Sequence, residues 1–273
     1  MRNWIGAVRL YLHYVSVNIR CAMQYKASLL LMTTGQMLIS FSTFFGIHFM
    51  FMRFDRVAGY GYSDVLLCFA IVMMQFTLAE MFARGFDAFS GTVRKGEFDR
   101  ILVRPRSTVL QVLGSKFECS RIGRLVQAVI VFIYGVAQSD VVWTLPRIGT
   151  LVMMLAGGAV LFASLFQIYA SLCFFTLEGL EFMNVFTDGA REYGKYPVDV
   201  YGKRVLQFST VIIPYALVQA YPLQYLLGRS GNALLMLCPL GVVFFAALSH
   251  LIWRFGVAHY TSSGSRQDRD DGV

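Results

Sequence analysis

Residues 64–83 read DVLLCFAIVMMQFTLAEMFA. Asp64 and Glu80 are the only charges in this stretch, and both lie toward its ends. A bilayer core about 30 Å thick is crossed by about 20 apolar residues rising about 1.5 Å each. The run therefore has the length and composition of a membrane span, and it leads directly into Arg84. Five more runs of this kind flank it, at about 27–51, 125–143, 148–177, 205–227 and 233–257. Trp143 closes the third span as an interfacial aromatic, and Pro146 opens the fourth. Gly157 and Gly158 lie within the fourth, where Ala159 and Ala163 form a small-xxx-small face suited to close helix packing. Pro214 and Pro222 fall inside the fifth and predict a kink or a break. The stretch VQAYPLQYLLG, 218–228, also reads as a short re-entrant helix.

Composition points the same way. Of 273 residues, 56% are hydrophobic and 15% charged, against about 45–50% and about 25% in soluble domains. Ahead of the first span, Arg9, His13, Ser16, Arg20 and Gln24 recur at helical steps. Trp4, Ile5, Val8, Leu12, Val15 and Ile19 occupy the remaining surface. A basic stripe on an otherwise apolar helix predicts an amphipathic helix over 1–26, lying in the membrane interface. The other reading makes it an early part of the first span. No compact apolar core with a small-residue cleavage site begins the chain, so no signal peptide is expected. The tail TSSGSRQDRDDGV, 261–273, is polar and predicted to be disordered. The chain thus divides into the helix at 1–26, a six-span domain at 27–260 carrying a polar loop at 84–124, and the tail.

The net charge of +8 carries topology. With the N-terminus in the cytoplasm, four Lys and Arg precede the first span, nine fall in 84–124, four in 178–204 and three at the C-terminus. Only Arg53, Arg56, Arg147 and Arg229 then lie outside. The positive-inside rule selects this orientation, with both termini cytoplasmic. The charge is accounted for by topology, and no nucleic-acid partner is expected.

No HExxH, GxSxG or GxxxxGK[ST] motif occurs. His13, His48, His250 and His259 are scattered without a carboxylate at helical spacing. Cys21, Cys68, Cys119, Cys173 and Cys238 form no CxxC, which predicts neither a disulfide framework nor a metal site. No catalytic residues and no phosphate-binding loop are expected in this chain.

The loop at 84–124 holds the informative motif. GEFDRILVRP, 96–105, is a short amphipathic unit bounded by Gly96 and Pro105. Phe98, Ile101 and Leu102 fall on one face, and Glu97, Asp99, Arg100 and Arg104 project elsewhere. Such a unit suits docking on a soluble partner; a solvated basic loop that only sets topology is the alternative. RKGEFDRILVRPRS resembles the loop between the second and third spans of bacterial type-2 ABC-transporter permeases, the exporter-type subunits. That family carries G-(E/D)-hydrophobic-D-x-x-L-x-(R/K)-P there, matched by Gly96, Glu97, Phe98, Asp99, Leu102, Arg104 and Pro105. Arg106 stands where a smaller or apolar residue is common in the family. Tyr196–Pro197, Pro214 and Tyr221–Pro222 after the fourth span are also similar to the family. The resemblance covers nearly the whole chain.

The resemblance implies an all-α integral membrane fold of six transmembrane helices, with an N-terminal amphipathic interfacial helix. A cytoplasmic coupling helix would stand between spans 2 and 3. It implies the membrane subunit of an ATP-driven exporter, not itself an enzyme, in the bacterial cytoplasmic membrane. Partners would be two cytosolic ABC ATPase subunits, a second permease, identical or related, and membrane lipid. No cofactor would bind this chain, since ATP and Mg would sit in the ATPase. Gly96, Glu97, Phe98, Asp99, Arg100, Ile101, Leu102, Arg104 and Pro105 would form the ATPase-coupling region. Within it, Phe98, Ile101 and Leu102 would be an apolar plug, and Glu97, Asp99, Arg100 and Arg104 would make charge-assisted contacts.

Glu80, Arg84 and Asp87 share a helical face at the membrane edge. They read either as a brace above the coupling helix or as a local ion-pair ladder. Gln36, Gln75, Gln127 and Gln167 lie within spans and suit a translocation path or ordinary interhelical hydrogen bonds equally. The rival function is a stand-alone secondary transporter or channel, which calls for inverted repeats, helices broken at midplane and ionisable groups deep in the spans. The sequence offers one candidate break, at Pro214, and no carboxylate at a span centre. An intramembrane enzyme lacks its catalytic set.

Overall fold

The computed structural model describes residues 2–176 and 181–261, with side chains over 5–176 and 182–261. Its regular structure there is helical throughout. The chain opens with α1, Arg2–Gln24, and turns at Tyr25 into α2, Lys26–Arg53. A short connection leads to α3, Tyr62–Asp87, which continues into α4, Phe89–Arg94. Two small helices follow, α5 over Phe98–Leu102 and α6 over Thr108–Ser115. Then come α7, Ile122–Ala137, and the long α8, Leu145–Thr176. The remainder is broken: α9, Asp188–Tyr193; α10, Lys203–Val211; α11, Tyr215–Val218; and α12, Ala220–Leu226. A 3-10 stretch, Ala233–Gly241, leads into α13, Val242–Ala258.

Among the described residues five helices are long and apolar enough to cross a membrane: Lys26–Arg53, Tyr62–Arg94, Cys119–Ala137, Leu145–Thr176 and Ala233–Ala258. Their pairing fixes direction. Gln36 and Ser40 on α2 meet Arg124 and Gln127 on α7 in the same order, so these two run parallel. Phe76 on α3 and Phe89, which opens its continuation α4, meet Phe162 and Phe174 on α8. Gln167 and Phe174 on α8 meet Ser249 and Trp253 on α13. The helices α3, α8 and α13 are therefore parallel to one another. The centre of the bundle is α3, buried along nearly its whole length, with α8 as its largest neighbour. Close approach comes at Gly158, where an added Cβ would lie 2.2 Å from the Gln75 side chain. The packing role predicted for Ala159 and Ala163 thus centres one residue earlier. The outer helices α2 and α13 leave Leu30, Leu31, Leu38, Phe49, Val243, Phe244 and Leu251 exposed. A continuous apolar exterior of this extent belongs against lipid or another subunit.

The run predicted as a fifth span, 205–227, is not one helix. Pro214 interrupts it, as its missing N–H and ring demand. A second break falls at Gln219, between α11 and α12. Pro222 causes none, because it is the third residue of α12, where no intrahelical N–H is needed. The segment 178–204, expected to be a cytoplasmic loop, also behaves differently over its described part. It climbs alongside α3. Arg191 lies over the Phe76 ring at 5.0 Å, the Gly194 carbonyl faces Cys68 Sγ at 3.6 Å, and Asp199 accepts a 2.6 Å hydrogen bond from Tyr60. Tyr60 belongs to the α2–α3 hairpin, at the end of the bundle opposite Arg84. There Arg229 pairs with Asp64 at 2.6 Å and stacks on the Tyr60 ring at 3.8 Å. Charge counting missed this because it assigns whole segments to one side. The predicted tail falls, from residue 262, outside the described residues.

Candidate coupling site and its brace

The helix α4 stops at Gly96, whose φ of 68° is the left-handed conformation that glycine adopts without steric cost. Gly96 N–H donates to the Val93 carbonyl at 3.0 Å, and Glu97 N–H to that of Thr92 at 3.0 Å. This paired pattern is the Schellman stop. The chain then makes α5, five residues long, and turns again through Arg104–Pro105–Arg106. Gln111 on α6 closes the turn, its amide donating to the carbonyls of Ile101 and Arg106, both at 3.1 Å.

One side chain roots α5 in the bundle. Phe98 is fully buried. Its ring meets those of Phe89 at 5.3 Å, Phe174 at 5.0 Å and Tyr260 at 5.0 Å, mostly edge to face. Trp253 closes the box, 5.2 Å from both Phe89 and Phe174, and its indole N–H donates to Thr108 Oγ1 at 3.2 Å. Burial, then the neighbouring Asp99 carboxylate, pushes the Tyr260 hydroxyl up to about 12, so it stays protonated. Four rings from α4, α8, α13 and the residue pair beyond it thus hold the short helix. On the other side Glu97, Arg100, Arg104 and Pro105 are exposed, with Leu102 at 42% and Val103 at 83%.

Above this box lies a charge cluster. Glu80, only 4% exposed, faces Arg124 and Arg121, the latter at 3.1 Å, with Arg84 at 3.7 Å. Arg84 also pairs with Asp87 and lies 3.9 Å from Glu118. Arg124 extends the network to Gln36 Oε1 at 2.6 Å, and one turn further Ser40 donates to Gln127 at 2.6 Å. The cluster ties α2, α3 and α7 together. A buried carboxylate facing two arginines is tolerated because each charge has a partner; removing one leaves the others uncompensated.

The model for ABC-2 family transporter proteins matches residues 37–264. The chain belongs to that family. It is a transmembrane permease of an ABC transporter, a membrane component of a type generally not catalytic itself. No curated protein and no solved structure matches it.

In this ABC-2 permease the predicted site residues divide. Glu80, Arg84 and Asp87 do come together, but within a larger network than a one-helix ladder. Arg121 and Arg124 were counted only as loop charges, since nothing in their spacing ties them to Glu80. Residues 96–105 form one continuous motif, and Glu97, Arg100, Leu102, Arg104 and Pro105 lie on its open side. Phe98 does not. The predicted plug residue faces the chain's own core, because the five-residue helix has one inward position and the largest apolar side chain takes it. Ile101 is partly buried against the same cluster. The apolar residue standing furthest out is Val103, which the amphipathic reading passed over. The in-span glutamines act in helix contacts: the Gln75 amide donates to the carbonyls of Met154 at 3.0 Å and Val218 at 3.2 Å. Among the described residues no group of three or more His, Cys, Asp and Glu could hold a metal ion.

Proposed function

We propose that this permease lines the translocation path of an ATP-driven exporter and is moved by a separate cytosolic ATPase docked on residues 96–105. The observation that carries the reading is the two-sided placement of α5. Its inner residue is locked among four aromatic rings, while its outer surface offers Glu97, Arg100, Leu102, Val103, Arg104 and Pro105. A push on that surface would be delivered to α4, α8 and α13 at once, because packed cores shift as bodies rather than deform. Glu97, Arg100 and Arg104 supply charge-assisted contacts and Leu102 and Val103 an apolar patch. The Glu80 network keeps α2 and α7 in step.

On this reading ATP and Mg sit in the partner, and no cofactor belongs to this chain. Two ATPase subunits and a second permease, identical or related, complete the assembly. The broken run 181–201 makes the sixth crossing, with α10 to α12 dipping back from the far side. The termini and α5 face the cytoplasm of a bacterial cell, and α1 lies in the interface. The test is co-purification of the tagged full chain in mild detergent. An ATPase subunit should accompany it, and reconstituted transport should require ATP. Transport that persists without ATPase and ATP would establish a stand-alone transporter instead.

A further inference from the structure

The three faces of α1 have separate surroundings. Tyr11, Tyr14 and Asn18 turn inward. The Tyr11 hydroxyl donates to the Phe82 carbonyl at 2.9 Å, and the Asn18 amide reaches the Gly114 carbonyl at 3.3 Å. Burial pushes the Tyr11 hydroxyl up to about 12, which keeps it a donor. About a quarter turn round, at 100° per residue, Ile5, Val8, Leu12 and Ile19 form an exposed apolar stripe. A further quarter turn brings Arg9, His13 and Arg20, all exposed. The helix is thus fixed to the body by one face and free on two adjoining ones.

Between the basic stripe and the turn after α5 lies a shallow groove of about 500 Å³, lined by Gly6, Arg9, Leu10, Leu12, His13 and Arg106. Two guanidinium groups and an imidazole border it, and among the described residues no carboxylate does. Leu12 belongs both to the groove wall and to the exposed apolar stripe. An occupant that matches both surfaces carries negative charge at one end and a long apolar body at the other.

We propose that this groove binds the headgroup of an anionic phospholipid, with Arg9 and Arg106 pairing with its phosphate and its acyl chains lying along Ile5, Val8 and Leu12. The inference rests on the reading of α1 as an interfacial helix and deepens it by naming the lipid class. Arg106 supplies the second cation. Guanidinium groups suit phosphate by their forked donors, and each basic residue near an anionic membrane surface favours binding by about fivefold.

The experiment titrates the full chain, in mild detergent, with phosphatidylglycerol or phosphatidylcholine of matched acyl chains and counts bound lipid by native mass spectrometry. The wild type should retain phosphatidylglycerol at least about tenfold better. Arg9→Gln with Arg106→Gln should weaken that lipid by about tenfold to thirtyfold and leave phosphatidylcholine unchanged. Arg9→Lys with Arg106→Lys should keep most of the preference, and Arg53→Gln with Arg56→Gln, at the far end, should not change it. Equal binding of the two lipids, or an equal loss in the far-end control, overturns the proposal. Displacement of the lipid by inorganic phosphate would show a free-anion site and overturns it too. Co-purification of the ATPase is read separately, so failure of the lipid site and failure of the permease reading are distinguishable.

Discussion

Residues 88–106 and residues 203–226 are both strings of short helices joined by tight turns, yet different chemistry holds them. The first is rooted by one aromatic side chain in a box of rings, where contact is dense and non-directional. The second is held by amides. Gln219 alone reaches the Gly194 carbonyl at 3.0 Å, the Tyr196 carbonyl at 2.9 Å and Cys68 Sγ at 2.9 Å, and its Oε1 accepts from Val198 N–H at 3.2 Å. Gln75 ties Val218 to α8 in the same way. Ring packing moves as a block, whereas a segment held by a few directional bonds can exchange them. Under the proposed function, the first would be the force-receiving end and the second an adjustable far end.

That contrast can be broken at four points. The largest effect is expected for Phe98→Ala, which empties the box and should cost about 4 kcal/mol. Thermal denaturation of the purified full chain should show one cooperative transition at lower temperature, since α4, α8 and α13 share the site. A separate early transition would mean that α5 is not rooted as described. Next comes Glu80→Gln, which leaves Arg121 and Arg124 without their buried counter-charge, at about 3 kcal/mol. Its loss should be partly relieved by adding Arg124→Gln; full additivity of the two changes would show that the network is not coupled.

Gln219→Leu should cost about 2 kcal/mol through carbonyls and an N–H left unsatisfied. Here the loss should be local. Hydrogen exchange is expected to rise across 194–202 and stay unchanged across 98–115. Uniform loss of protection would erase the distinction between the two regions.

Much of this was legible in the sequence. The runs at 27–51 and 64–83 are long and free of proline, so length and composition alone place them. Gly96 and Pro105 mark their turns because one tolerates positive φ and the other ends a helix. The run 205–227 misleads because hydropathy sums over Pro214 without weighing the bond it removes. The ascent of 181–201 was hidden for a different reason: its polar groups are satisfied by Tyr60, Gln219 and Cys68, residues far away in sequence. Phe98 reads from sequence as an outward plug, but its direction depends on Phe174 and Trp253, which only the folded chain brings near.

The central claim is that the open side of residues 96–105 receives the ATPase while Phe98 transmits. Val103→Asp tests it most directly, because Val103 is 83% exposed and its change should leave stability within about 0.5 kcal/mol. The measurement is ATP-dependent transport by the reconstituted complex, alongside the denaturation midpoint of the variant permease. The account predicts an unchanged midpoint with transport reduced at least about tenfold, the effect of a charge forced into an apolar contact. Normal coupled transport by Val103→Asp would contradict it.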